Sequence, residues 1–192
     1  ESRSGLTWVV DPIDGTVNFL YDLPAWAVSI GVVEGGPDPA TWTAVAGCVV
    51  NPVLGEVFTA VRGQGAFLGD ERIQVSGATD LALSLVGTGF AYSAETRRIQ
   101  AAVVTDLIGQ TRDVRRIGSA ALDLCSVAAG RLDAYYERGL SPWDHAAGAL
   151  IAAEAGARVT GLAGAPATRD FMLAATPDIA EALEAALVAA GV

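Results

Sequence analysis

Lysine is absent from this chain: all twelve basic residues are Arg, and they face 22 Asp and Glu, leaving a formal net charge of −10. A protein that displaces counterions from phosphate backbones needs a cationic face, so no nucleic-acid partner is expected. Histidine occurs once, at His145. Without a Ser or Cys in a recognisable nucleophile elbow it is a poor triad candidate and reads as a surface residue or a supporting neighbour of Asp144. The two cysteines lie in the apolar runs TAVAGCVV (Cys48) and AALDLCSVAAG (Cys125), where a thiol behaves as a small buried hydrophobe rather than as half of a disulfide. Long apolar runs are missing too. Although 52% of the 192 residues are hydrophobic and the mean hydropathy is +0.40, charges, Gly or Pro cut every run short of the roughly 20 residues that span a bilayer. The opening ESRSGLTWVV has no charged start or unbroken apolar stretch of a signal peptide, so no membrane association and a cytoplasmic location are expected. High apolar content with few charges excludes a disordered chain and points to one domain with a sizeable core.

The patterning that is present reads as mixed α and β. TWVV (7–10) is a buried strand expected to stop at Asp11-Pro12, because Pro donates no ladder hydrogen bond. Apolar runs at 26–33, 42–50 and 55–61, separated by turn compositions, predict consecutive antiparallel strands, and RGQGAFLGDERIQV extends them with another hairpin. From about residue 81 the period changes. A strand in LALSLVGTGF precedes an amphipathic helix with apolar positions at Ile99, Val103, Leu107 and Ile108. A strand near 113–117, a helix at 119–129, a strand at 133–137, a helix at 145–155, and a final strand and helix after Pro177 complete a layered α/β or α+β domain.

Two segments carry candidate chemistry. In WVVDPIDGTVNF (8–19), Asp11 and Asp14 flank a strand-to-helix corner with the Ile13 carbonyl between them. Such oxygens suit a hard divalent cation such as Mg²⁺. Gly15 permits close approach of a ligand to backbone N–H groups, and a helix start there favours an anion. On spacing alone, a pair of helix-capping aspartates is an equally good reading. In GLSPWDHAAGALIAAEAG (139–156), Asp144 precedes a helix, and taken alone it reads as the N-cap.

Together the two segments resemble the inositol monophosphatase family, Mg²⁺-dependent, lithium-sensitive phosphatases of the superfamily that includes fructose-1,6-bisphosphatase. The resemblance rests on DPIDGT with NF, on PWDHAAG some 130 residues later, and on PAWAVSIGVV, GEVFTAVRGQGAFLG and GSAALDLCSVAAGRLDAYYE between them, and so runs from Leu6 onward. It implies a layered αβαβα sandwich of the sugar-phosphatase type, usually a homodimer. It further implies hydrolysis of inositol monophosphate, or a similar small phosphorylated polyol, by metal-activated water. On matching positions, Asp11 would bridge two metals with the Ile13 carbonyl on the first, and Asp14 and Asp144 would complete the second. Thr16 would orient and help deprotonate the water, and the N–H groups of Gly15 and Thr16 would hold the phosphate. Glu137 would accept from substrate hydroxyls, the Ala120 backbone would contact the same ring, and Arg116 stands where members vary and the substrate pocket is shaped.

One feature departs from that pattern. The family's helical N-terminal region of roughly 70 residues, itself within the size of a small domain, ends in a Gly-Glu-Glu type motif whose first Glu binds the first metal and pairs with the Thr. Here Glu1 stands ten residues before Asp11; either Glu1 is one of those glutamates or the metal-binding Glu lies just upstream, the second being favoured. The chain is therefore expected to be an N-terminally incomplete phosphatase domain. Histidinol-phosphate, fructose-1,6-bisphosphate and 3′-phosphoadenosine nucleotide phosphatases are alternatives within the class. A non-catalytic interaction protein on the same fold, for instance in a transcription complex, is the alternative outside it.

Overall fold

The computed structural model describes residues 4–36 and 38–192. Its first half is a six-stranded antiparallel meander in chain order: β1 (Leu6–Asp14), β2 (Ala27–Glu34), β3 (Thr43–Asn51), β4 (Glu56–Val61), β5 (Gly65–Leu68) and β6 (Glu71–Ile73). A single helical turn, α1 (Thr16–Leu20), interrupts it after β1. The second half holds β7 (Leu85–Thr88), α2 (Ala94–Leu107), β8 (Asp113–Arg115), α3 (Ala120–Ala128), β9 (Ala134–Glu137), α4 (Pro142–Glu154), β10 (Arg158–Thr160), β11 (Met172–Ala175) and α5 (Pro177–Ala189). Its five strands form a mixed sheet in the order β10-β11-β9-β7-β8, with β7 parallel to both β8 and β9.

Period-two alternation places the layers. In β9, Tyr135 faces a core shared with α3, α4 and the first sheet (Phe58, Val49, Leu124, Ile151), while Ala134 and Tyr136 face a second core built with Val103 and Leu107 of α2 and Ile179, Leu183 and Leu187 of α5. The order is thus sheet, helices, sheet, helices. α4 lies close on the first sheet because Gly31 and Gly47 offer no side chain there; a Cβ on Gly47 would stand 3.0 Å from the Ala147 backbone and one on Gly31 2.9 Å from the Ala146 Cβ.

Among the described residues, no layer covers the other face of the first sheet. Cross-strand register aligns Val10, Ile30, Cys48, Thr59 and Phe67 in one row and Trp8, Val32, Ala46 and Val61 in the next. The first row ends on Arg72 of β6 and the second carries no charge, and Trp8 is 68% and Val10 47% exposed.

Several expectations need correction. β1 does not stop at Asp11-Pro12 but runs to Asp14, because it is an edge strand whose register jumps between Asp11 and Asp14, and the missing N–H of Pro12 falls in that irregularity. On α2 only Val103 and Leu107 are buried, since the helix touches the core along a narrow stripe; Ile99 is exposed, and so is Ile108, which lies just past the end of the helix. α4 starts at Pro142, so Asp144 lies inside its first turn and Ser141 is the N-cap. Both cysteines are free, Cys125 buried and Cys48 half-buried. No helix among the described residues is long and apolar enough to cross a membrane.

Candidate active site

The irregular end of β1 turns its carboxylates toward two helix starts. Asp11 Oδ1 accepts from the Ile13 N–H at 2.9 Å, which fixes the corner. Asp14 Oδ2 accepts from Ser119 Oγ at 2.5 Å and from the Ala121 N–H at 2.8 Å, so this aspartate does cap a helix, but one that begins more than a hundred residues later. Asp144 Oδ2 accepts from the Ser141 N–H at 2.6 Å and is held over the start of α4. These contacts bring oxygens of Asp11, Asp14 and Asp144 within 4.8 Å of one another.

Crowding and burial show in the acidity of the group. Burial chiefly, with Asp11 as a neighbouring charge, pushes Asp14 up to about 6 even against its hydrogen bonds from Ser119 and Ala121. Asp144 is pushed to about 7, again by burial first and then by Asp14 and Asp11. A cluster of hard oxygen donors whose negative charges are so poorly accommodated has the donor set that a divalent cation satisfies.

The backbone around the corner is arranged closely. Thr16 Oγ1 donates to the Ile13 carbonyl at 3.1 Å, leaving that oxygen a second lone pair. Gly15 takes φ +89°, where a Cβ would lie 3.0 Å from the Ala25 carbonyl oxygen. α1 is a single turn, so any anion contact here belongs to the N–H groups of Gly15 and Thr16 rather than to a helix dipole. Ala120 is buried at the first position of α3.

Glu137 closes β9 on the same side of the second sheet as α3. Tyr135 donates its hydroxyl proton to Glu137 Oε2 in a short hydrogen bond. Burial, outweighing that bond and the Arg116 charge, pushes Glu137 to about 7. Arg116 is exposed, yet its charge acts on both Glu137 and Asp123, which places it beside this second group of acids. Glu1 lies outside the described residues.

His145 is not a surface residue. It is 2% exposed, its ring centroid lies 5.7 Å from that of Trp42, and burial lowers its pKa to about 4, so it is a neutral core group beside Asp144. Sequence reasoning also passed over Asp123 and Asn18. Asp123 is 2% exposed, its Oδ1 has no hydrogen-bond partner among the described residues, and burial together with Glu137 and Asp14 raises its pKa well above the usual range. A charged residue inside the apolar run AALDLC was the available signal.

Known proteins resemble this chain along nearly its whole length. The sequence matches the inositol monophosphatase family over residues 1–191. It is 53% identical over 189 residues to an inositol-1-monophosphatase of Mycobacterium bovis, covering 95% of this chain and 62% of that protein. It is 45% identical over 181 residues to a Nus factor SuhB of Pasteurella multocida, covering 92% and 65%. Among solved structures, Mycobacterium tuberculosis SuhB superposes with a TM-score of 0.86 at 51% identity, over 97% of this chain and 73% of that one. The chain therefore spans under two thirds of the length of these curated relatives. An acidic corner at the end of β1, a partner carboxylate at the start of α4 and this likeness along nearly the whole chain lead to one assignment: the chain belongs to the inositol monophosphatase family.

Proposed function

We propose that this chain carries the catalytic centre of a Mg²⁺-dependent phosphomonoesterase acting on inositol monophosphate or a similar small polyol phosphate. The observation that carries the reading is the convergence of Asp11, Asp14 and Asp144 within 4.8 Å. A non-catalytic module has no physical need to keep three carboxylates together at such electrostatic cost.

Asp11, the free lone pair of the Ile13 carbonyl, Asp14 and Asp144 would hold the cation or cations. When bound, these would supply Lewis acidity and neutralise phosphoryl charge. The protein's own groups do the positioning. The Thr16 hydroxyl, already anchored at Ile13, orients the attacking water. The Gly15 and Thr16 N–H groups hold phosphoryl oxygens, and Glu137 accepts from substrate hydroxyls beside Ala120 and Arg116. With Tyr135 donating to one carboxylate oxygen, Glu137 keeps its other oxygen for substrate.

The bare apolar sheet face and the greater length of the relatives support a second element of the reading: the chain is the larger part of a phosphatase domain whose missing layer precedes it. The test measures phosphate release from inositol 1-phosphate with and without Mg²⁺, for this chain and for a form carrying the residues encoded upstream. Mg²⁺-dependent release by the longer form is expected. No release from any of a panel of phosphomonoesters would overturn the enzyme reading, and equal activity of both forms would overturn the incompleteness.

A further inference from the structure

Asn18 is 5% exposed and sits in the single turn α1, two residues after Thr16. Its Nδ2 donates twice, to the Ala25 carbonyl at 2.6 Å and to the Ile117 carbonyl at 2.9 Å, the second across 99 residues of sequence. The packing around this amide is tight. Gly118 takes φ +95°, and a Cβ on it would stand 3.0 Å from Asn18 Nδ2 and 2.5 Å from Arg116 Nη1; a Cβ on Gly15 would stand 3.2 Å from the Gly118 carbonyl oxygen. One primary amide therefore joins two segments with different assignments. On one side stand Gly15 and Thr16, which face the phosphate. On the other, residues 116–120 bring Arg116 and Ala120 to the ring of the substrate.

We propose that Asn18 is a positioning residue that fixes the phosphate-facing turn and the ring-facing loop 116–120 in one geometry, so that selectivity for a polyol phosphate over a simple monoester depends on it. The inference rests on the phosphatase reading above. Asp11 and Asp144 are held by β1 and α4, and Asp14 has its own bonds to Ser119 and Ala121 at the start of α3, so the three carboxylates keep anchors other than Asn18 when the amide is lost. Loop 116–118 loses its tether to α1, and the ring contacts lose their register with the phosphate contacts.

The experiment compares kcat/KM for inositol 1-phosphate with that for phenyl phosphate, which has no ring hydroxyls, in the longer protein. The variants are Asn18→Ser, whose hydroxyl can donate to one carbonyl but not to both, and Asn18→Asp, which keeps the shape and removes both donors. Melting curves show that each variant is folded. The ratio of the two specificity constants is expected to fall about tenfold or more, through KM for the inositol ester, because a misplaced contact loses that much. Equal losses on both esters, the signature of a merely structural residue, or an unchanged ratio would overturn the inference and leave the phosphatase reading standing. A wild-type protein that hydrolyses neither ester overturns both.

Discussion

Asp14 shows how one carboxylate serves two purposes. Its Oδ2 is consumed by Ser119 and Ala121 at the start of α3, while the same group lies within reach of Asp11 and Asp144. Among the described residues the Asp11 side chain makes only a local bond, to the Ile13 N–H, so Asp11→Asn is expected to abolish Mg²⁺-dependent phosphate release while leaving the melting temperature within a few degrees of wild type. Turnover retained in that variant would contradict its place on the metal. The raised acidities give a pH prediction. Asp14 at about 6, and Asp144 and Glu137 at about 7, bind protons in the folded state that the unfolded chain releases near 4. Stability from these groups is therefore complete below pH 4 and lost as pH rises toward 7. His145, lowered to about 4, acts the other way, losing stability as pH falls below about 6.5. A divalent cation binds the ionised carboxylates, so Mg²⁺ should raise the melting temperature at pH 8 and have little effect at pH 5; equal shifts at both pH values would contradict a carboxylate site.

At the scale of elements, the site depends on how closely α4 approaches the first sheet. Gly47 and Gly31 let the helix backbone come to about van der Waals contact, and that height sets where Asp144 stands relative to Asp11 on β1. Gly47→Ala drives a methyl into the Ala147 backbone, which cannot yield as a side-chain tip does. A loss of about 1–3 kcal/mol in stability is expected from overpacking, together with weaker Mg²⁺ binding as α4 lifts. Chemical denaturation and cation titration measure the two effects; undiminished cation affinity in a destabilised variant would separate helix height from the site. The end of β1 is equally specific: an edge strand tolerates Pro12, and past the register jump Asp14 pairs with Ala27 while its side chain reaches the start of α3.

At the scale of the molecule, two sheets and two helical layers alternate, and among the described residues one largely apolar sheet face has no covering layer. Trp8 and Val61 lie in the same charge-free row of that face. Exposed patches of this kind drive association. The chain by itself is expected to self-associate at micromolar concentration, and Trp8→Lys with Val61→Lys to shift it toward monomer in sedimentation experiments. In a longer form whose added residues cover the face, the same pair of substitutions should lower the melting temperature instead. Insensitivity of both forms would leave that face without a role as an interior surface.

The sequence by itself determined the meander, the change of period near residue 81, the order of the later helices and strands, and the acidic corner, because each follows from local alternation, turn residues and closely spaced motifs. Only the tertiary structure decided that β1 passes through Pro12, since that depends on its being an edge strand. Long-range packing likewise fixed Asp14 as the cap of α3 and buried His145 against Trp42. Asn18 and Asp123 went unread for the same reason. An amide that bridges carbonyls 92 residues apart, and a buried carboxyl with one oxygen lacking a partner among the described residues, have meaning only once distant segments are brought together.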